Sequence, residues 1–455
     1  MFARMQEPFK ETRFVPAGNK MTGVVLCLTL SAAAQSSNSG RQSLELTLQK
    51  AIEIAASPAG DSAIQVARQT EQLAAASLVE ARSSLLPTLD AYAAEQNQTV
   101  NPRALGLRFD NALFTVPDQV GPFSTFDARV RLKMNVLDFS ARKHRDAAEK
   151  NIEGARSETE RVKERVAAAV AKLYAAALRT DAQVEVSQIN IEEAEALRDV
   201  AAHRAEVGEG TELDLARAKL QVERDRQKLM AAQTERTRAH LELIKALHLD
   251  WNTELILTSK LGTQPRQVAT VADSVAAAVK SRADFRVQEM RIESATLTRS
   301  AAAMASRPSL MAYADYGVLA GVQTHTVGAA LRFSIFDGGR VRSERDRAEA
   351  MLQQEQIREK ELKATVELEV RQALVSLESA ERQIEVAAQA IALAEEELGR
   401  ARRRYEAGLT SSMEVIEAKT QLGVARHDHV AALYNRASAR IELAQATGSV
   451  ASVVF

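Results

Sequence analysis

Residues 128–136 read Ala128-Arg-Val-Arg-Leu-Lys-Met-Asn-Val136, in which Arg129, Arg131, Lys133 and Asn135 interleave with Ala128, Val130, Leu132, Met134 and Val136. Alternation with period two sends successive side chains to opposite faces of a strand. One face is then apolar and the other polar. A second run repeats the device: Val327, Ala329, Leu331, Phe333 and Ile335 alternate with Gly328, Ala330, Arg332 and Ser334. Partner strands are expected at about Thr88–Thr99 and Ser309–Leu319, giving hairpins over about 88–138 and 309–337. Each run approaches the ~9–11 residues with which a tilted strand crosses a bilayer. Its apolar face can meet lipid while its polar face meets water. An ordinary two-stranded sheet packed on helices gives the same pattern.

The two hairpins belong to an internal repeat. Pro87-Thr-Leu-Asp-Ala-Tyr-Ala93 resembles Pro308-Ser-Leu-Met-Ala-Tyr-Ala314, and Leu132-Lys-Met-Asn-Val-Leu-Asp138 resembles Leu331-Arg-Phe-Ser-Ile-Phe-Asp337. Further on, Glu206-Val-Gly208 matches Glu406-Ala-Gly408, and Ala218-Lys219-x-Gln221 matches Ala418-Lys419-x-Gln421. The offset falls from 221 to 199 or 200, and an insertion at about 100–122 accounts for the change. The chain thus divides into units at 43–262 and 263–455, each read as helix, hairpin, long helix, turn, helix. Helices are expected at about 44–85, 140–203, 211–248, 270–305, 339–405 and 412–446, the first interrupted near Ser57-Pro58-Ala-Gly60. A helix of ~65 residues is close to 100 Å long at 1.5 Å per residue.

Composition agrees with long helices. Among 455 residues there are 19 Gly and 9 Pro, about half the share of an average protein, and aromatics are only 4%. Val370, Leu377, Ile384, Ile391 and Leu398 recur every seven residues. Val366, Ala373, Ala380, Ala387, Ala394 and Ala401 form a second register. Sustained heptads specify a left-handed supercoil, and alanine at one seam position lets backbones approach closely. The heptads by themselves suit a spacer rod or a helical tube equally.

The balance of 59 Lys+Arg against 60 Asp+Glu lacks the basic excess that a nucleic-acid partner requires. A single cysteine, Cys27, excludes an internal disulfide and a Cys-based zinc site. His427 and His429 are two apart, on different helix faces, without metal geometry. There is no nucleophile elbow, P-loop or dinucleotide fingerprint. No enzyme, no cofactor and no metal are expected. The apolar run from Met21 to Ala34 is too short to span a bilayer. Lys10, Arg13 and Lys20 precede it, and Ala32-Ala33-Ala34 ends it, so residues 1–34 are expected to be a signal peptide, with translation starting at Met1, Met5 or Met21.

Four strands per chain cannot close a barrel, and an open sheet edge is forbidden in lipid, so strands that span a membrane require oligomerisation. At this point the sequence resembles the TolC family of outer-membrane efflux proteins. The resemblance rests on Ser84-Leu-Leu-Pro-Thr-Leu89, on Phe336-Asp-Gly-Gly-Arg340, and on Arg404-Tyr-Glu-Ala-Gly408 continuing through Ser411-Ser-Met-Glu-Val-Ile-Glu-Ala418. It implies a mainly α chain with a small β part: long coiled-coil helices forming a periplasmic α-barrel, and four membrane strands contributing to a 12-stranded barrel of a homotrimer. It implies an outer-membrane location with a long periplasmic extension. It also implies passive export of small molecules or proteins, alongside a periplasmic adaptor and an inner-membrane transporter. The competing reading is a periplasmic coiled-coil scaffold or spacer without a pore.

The resemblance also suggests roles for single residues. Arg204 and Gly208 in one copy, and Arg404, Tyr405, Gly408 and Ser411 in the other, become adaptor-contact candidates at the helical turns. Asp214, Glu414 and Glu417 become aperture candidates, where three-fold repetition would concentrate negative charge. Helix capping by glycine and acids in a first helical turn explain the same residue types without a partner or a pore. No Arg occurs in Leu409-Thr-Ser-Ser412, which argues against a gate salt bridge from that stretch. Pro87 and Pro308 mark helix-to-strand junctions, and Gly338 and Gly339 give a strand-to-helix junction its permissive backbone.

Overall fold

A computed structural model describes residues 43–57, 60–102, 104, 106, 117, 119–262 and 270–450. The signal-peptide segment and most of the 100–122 insertion lie outside them. The chain opens with strand β1 (Ser43–Leu46) and helices α1 (Leu48–Ala56) and α2 (Ser62–Ser83). The hairpin β2 (Thr88–Val100) and β3 (Val120–Leu137) leads into α3 (Phe139–Glu206) and α4 (Glu212–Ala246). After β4 (Glu254–Leu257) come α5 (Val271–Ser281), α6 (Ala283–Met304), the hairpin β5 (Ser309–Leu319) and β6 (Val322–Arg332), then α7 (Arg340–Glu406) and α8 (Ser412–Thr447). The expected hairpins and long helices are therefore present, except that β6 ends at Arg332, so Phe333 and Ile335, expected in the second hairpin, lie beyond its strand.

Two details differ from the expected helices. The segment expected as helix from about 44 begins instead with β1, while the interruption expected near Gly60 separates α1 from α2. A Cβ at Gly60 would lie 2.5 Å from the Ala55 carbonyl oxygen, and Asp61 caps α2 by accepting from the Ala63 amide at 2.7 Å. The expected 270–305 helix breaks at Arg282, whose guanidinium bridges Asp284 (2.6 Å), Glu369 (2.6 Å) and the Ala446 carbonyl (3.1 Å). The parallel pair β1–β4 was not foreseen, because four residues are too few for alternation to register. It matters to the core: the Tyr174 hydroxyl donates to the Leu46 carbonyl at 2.8 Å, among Ile52, Val170, Leu243 and Leu255.

Alanine seams position the long helices. Val366, Ala373, Ala380, Ala387, Ala394 and Ala401 on α7 are all at most 8% exposed. α8 carries its own heptad of buried alanines, Ala418, Ala425, Ala432, Ala439 and Ala446. Small side chains at nearly every seam position keep the packed backbones close.

The main sheet has the order β2-β3-β5-β6, antiparallel throughout. Its central β3–β5 pairing joins the two repeats, and β2 and β6 are its edges. The register puts Leu89, Leu132 and Ala314 side by side, and likewise Ala91, Val130 and Tyr316. This face leaves Leu89 (68%), Tyr316 (63%), Val327 (81%) and Leu331 (65%) exposed. The opposite face carries Asp90, Arg131 and Asp315 in one row and Tyr92, Arg129 and Gly317 in the next. Arg131 pairs with Asp315 across the strands, Arg129 pairs with Asp127, and the Tyr92 hydroxyl donates to Asp127 at 2.7 Å. Among the described residues no helix is long and apolar enough to cross a membrane.

Enlarging a seam alanine tests the packing: Ala418, 2% exposed and clustered with Ala394, Leu398 and Ala401 of α7, changed to leucine (Ala418→Leu) should destabilise the protein by about 1–3 kcal/mol through overpacking, read as a lowered thermal transition. An unchanged transition would mean that the α7–α8 seam is loosely packed.

Candidate functional site

The turns α3–α4 and α7–α8 lie together and are built alike. Each long helix ends at a left-handed glycine, Gly208 (φ +76) and Gly408 (φ +71). No atom lies within 4 Å of a Cβ placed on Gly208, so the backbone angle rather than crowding calls for glycine there. The orphan carbonyls of the last turns are used: the Glu209 amide donates to the Arg204 carbonyl and the Leu409 amide to the Arg404 carbonyl, each at 2.9 Å. The returning helix α4 is capped by Thr211, which accepts from the Asp214 amide at 3.1 Å. The Ser411 side chain makes no such cap on α8.

Side chains cross between the turns. The Arg204 guanidinium donates to the Tyr405 carbonyl and stacks 4.9 Å from the Tyr405 ring centroid. Tyr405 is only 4% exposed and packs with Leu398, Val415 and Leu422. Tyr405 thus offers little surface to a partner and instead ties its turn to the neighbouring one. Gly208, Arg404, Gly408 and Ser411 are exposed. Asp214 is half-buried, and its Oδ1 accepts from both the amide (3.1 Å) and the hydroxyl of Ser412, while Oδ2 accepts from the Thr211 hydroxyl at 2.6 Å. Burial pushes the Asp214 carboxyl up, but the Ser412 and Thr211 hydrogen bonds outweigh it and hold the group below the usual carboxylate value. Burial, with Asp214 nearby, raises the Tyr405 phenol.

The acidic candidates separate. Glu414 Oε1 is 3.6 Å from Arg404 Nη1, and its other oxygen accepts from the Thr410 hydroxyl. Glu417 is exposed. A salt bridge therefore does exist at the turn, supplied by an arginine before Gly408 rather than after it. At the other end of the long helices, Pro87 and Pro308 immediately precede β2 and β5. Gly338 (φ +67) and Gly339 (φ +89) carry the chain into α7. The Asp337 carboxylate accepts from the Gly339 and Val341 amides, both at 3.0 Å. Asp138 caps α3 by accepting from the Ala141 amide at 2.9 Å. The glycine pair is absent from the first copy, but the aspartate cap is shared.

Sequence reasoning missed a buried serine and a buried ion pair. Ser412 is fully buried, and as one of two adjacent serines it carried no distinguishing signal. Lys419 and Asp225 form an ion pair at 2.6 Å, with side chains 2% and 4% exposed, and Gln221 donates to the same carboxylate at 3.0 Å. The repeated Ala-Lys pair was visible, yet Lys219 is exposed and Lys419 is buried. Beyond Asp225 the next buried residue of α4 is Leu243.

A strand sheet with one exposed apolar face and one charged face, set on helices of ~100 Å that end in paired turns, defines a membrane channel with a helical extension. The model of the outer membrane efflux protein family matches residues 56–247 and 275–449, and the chain belongs to that family. It is 26% identical over 355 residues to the pyoverdine export outer membrane protein OpmQ of Pseudomonas putida, covering 72% of this chain and 69% of that protein. Its fold is similar to the CmeC outer membrane channel of Campylobacter jejuni, with TM-score 0.72 and 18% identity over 88% of this chain and 85% of that one. VceC, an outer membrane protein of Vibrio cholerae, gives TM-score 0.72 and 20% identity over 88% and 96%. The chain is a TolC-like outer-membrane efflux channel with a periplasmic helical tunnel, and its relatives are transport proteins.

The cross-turn tether has a direct test. Asp214→Ala removes the acceptor of the buried Ser412 amide and should speed its hydrogen exchange roughly ten- to a hundredfold. Because the folded-state pKa of Asp214 is depressed, the tether is present above the ordinary carboxylate value of 3.8 and is lost only as pH falls through the lower folded value. Exchange protection should thus hold from pH 7 to pH 5; loss of protection within that range would contradict the assignment.

Proposed function

We propose that three copies of this chain close into one passive conduit that works with a periplasmic adaptor and an inner-membrane transporter. The observation that carries this reading is the four-stranded sheet with open edges β2 and β6 and a broad exposed apolar face. In lipid those edge amides and carbonyls must be paired, and another copy of the same sheet supplies the pairing. The helices support it too. Ile357, Leu368, Val375, Val386 and Leu393 are 55–67% exposed on α7. Their spacings bring all five to one helix face, and such a stripe suits burial against a neighbouring copy. The likeness to a pyoverdine exporter favours a small-molecule cargo over a protein. Outer-membrane fractions should contain heat-resistant trimers that conduct ions in planar bilayers. A soluble periplasmic monomer would favour the spacer reading instead.

The exposed turn residues Arg404, Gly408, Ser411 and Gly208 are the surface offered to the adaptor, with Arg204 and Tyr405 holding that surface in shape. Asp214, Glu414 and Glu417 stand at the periplasmic aperture, where three copies bring their charges together. Like charges in a narrow opening attract cations. Replacing Glu414 and Glu417 by Gln removes two acids per chain and leaves Arg404 unopposed. Half-block by Mg2+ should then require a roughly threefold or higher concentration, measured on single channels. Unchanged block and conductance would remove these residues from the aperture.

A further inference from the structure

The open edges carry more than a general need for pairing; their residues select one register. β6 runs Val322–Arg332, and the eleven residues Asp90–Val100 of β2 match it in length. Within one chain β2 and β6 run antiparallel to each other through the sequence of antiparallel neighbours β3 and β5. When the sheet continues from one copy into the next, β6 of one therefore meets β2 of the other in antiparallel fashion. Aligning the two strands end to end puts Val322 opposite Val100 and Arg332 opposite Asp90.

The faces agree with that alignment. Asp90 lies in the charged row with Arg131 and Asp315, and Arg332 lies on the same face through the β5–β6 pairing. A slip of one residue would turn every side chain of β6 to the wrong side, so only even slips compete. In the end-to-end register an acid on one edge faces a base on the other. Just past the end of β6, continuing the same alignment also fits. Phe333 (58% exposed) falls opposite Leu89 (68% exposed), joining the two apolar faces, and Ser334 falls opposite Thr88. Within its own chain, Arg131 is the cross-strand neighbour of Asp90 on β3 but is already paired with Asp315.

We propose that Arg332 of one protomer pairs with Asp90 of the next, fixing the register of the seam between copies of this sheet at its helix-proximal end. The occupant of each edge is thus a second copy of this chain. The pair specifies register more than it adds stability, because a slip of two residues would leave Arg332 facing Tyr92 or Thr88 on the water-filled side. This inference rests on the trimeric reading above and adds the register to it.

Paired cysteines in a Cys27→Ser background test it. Asp90→Cys with Arg332→Cys, treated with a short bis-methanethiosulfonate linker, whose sulfinate groups leave as each thiolate forms a disulfide, should give a reducible covalent trimer on denaturing gels. Its yield should exceed by roughly fivefold those of Tyr92→Cys or Thr88→Cys combined with Arg332→Cys, because directly opposed Cβ atoms are ~5 Å apart and diagonal ones ~7–8 Å. Either shifted pair giving the highest yield would overturn the register. Charge exchange gives a second reading that needs no cysteine. Asp90→Arg or Arg332→Asp alone should lower the temperature at which trimers dissociate, and the double exchange should restore it. Additive losses in the double variant would overturn the pairing. If the unmodified protein forms no heat-resistant trimer, it is the trimeric reading that fails, a result separable from a trimer joined in another register.

Discussion

A backbone hydrogen bond left unmade in lipid governs this molecule. Strands survive in a bilayer only if every amide and carbonyl is paired, because no water is available to take the partner's place. The sheet β2-β3-β5-β6 satisfies its inner pairs and leaves its two edges open. On the proposed trimeric reading, a single chain is an incomplete object, and much else serves its completion. Its apolar face is broad and uncovered, its charges are gathered on the opposite face, and α7 keeps an exposed apolar stripe.

The helices obey a different constraint, the small separation of their seams. Buried alanines bring α8 against the turn-proximal half of α7. Packing of this kind is strong but nearly featureless, since one heptad of alanines resembles the next. The short turn at Gly408 sets the register of α7 on α8, and the register of one repeat on the other is marked by polar contacts at defined places. Those places are at the turns and just above them: Asp214 with Ser412, Arg204 with Tyr405, and the buried Lys419–Asp225 pair. Each couples the first repeat to the second. A buried ion pair adds little net stability compared with apolar packing, but breaking it is costly, which suits a registering role.

The two copies of the repeat have diverged in how they use shared residues. Gly208 and Gly408 terminate their helices alike. The tyrosine at the second turn has no counterpart in the first, where Ala205 stands, and it is the second turn's tyrosine that Arg204 of the first engages. Asp138 and Asp337 both cap the helix after a strand, though only the second uses a glycine pair. Duplication supplied the frame, and asymmetric side chains joined the halves.

The period-two alternation around Arg131 and Leu132, the heptads of α7 and the glycine turns were all legible in the sequence, because each is a local pattern repeated often enough to exceed chance. The family followed from their order and duplication. Less was legible where few residues or distant ones decide. β1 and β4 are four residues each, too short to show a period, and Arg282 breaks a helix through partners as far away as Glu369 and Ala446. Nothing in the sequence distinguished Lys419 from Lys219, or placed Tyr405 inside rather than on the surface. The sequence alone determined which segments are strands and helices and which faces are apolar, since these depend on neighbours a few residues apart. The tertiary structure decided which charges are buried, which acid meets which base at the turns, and which strand edges remain open, since burial and pairing depend on residues some 200 positions away.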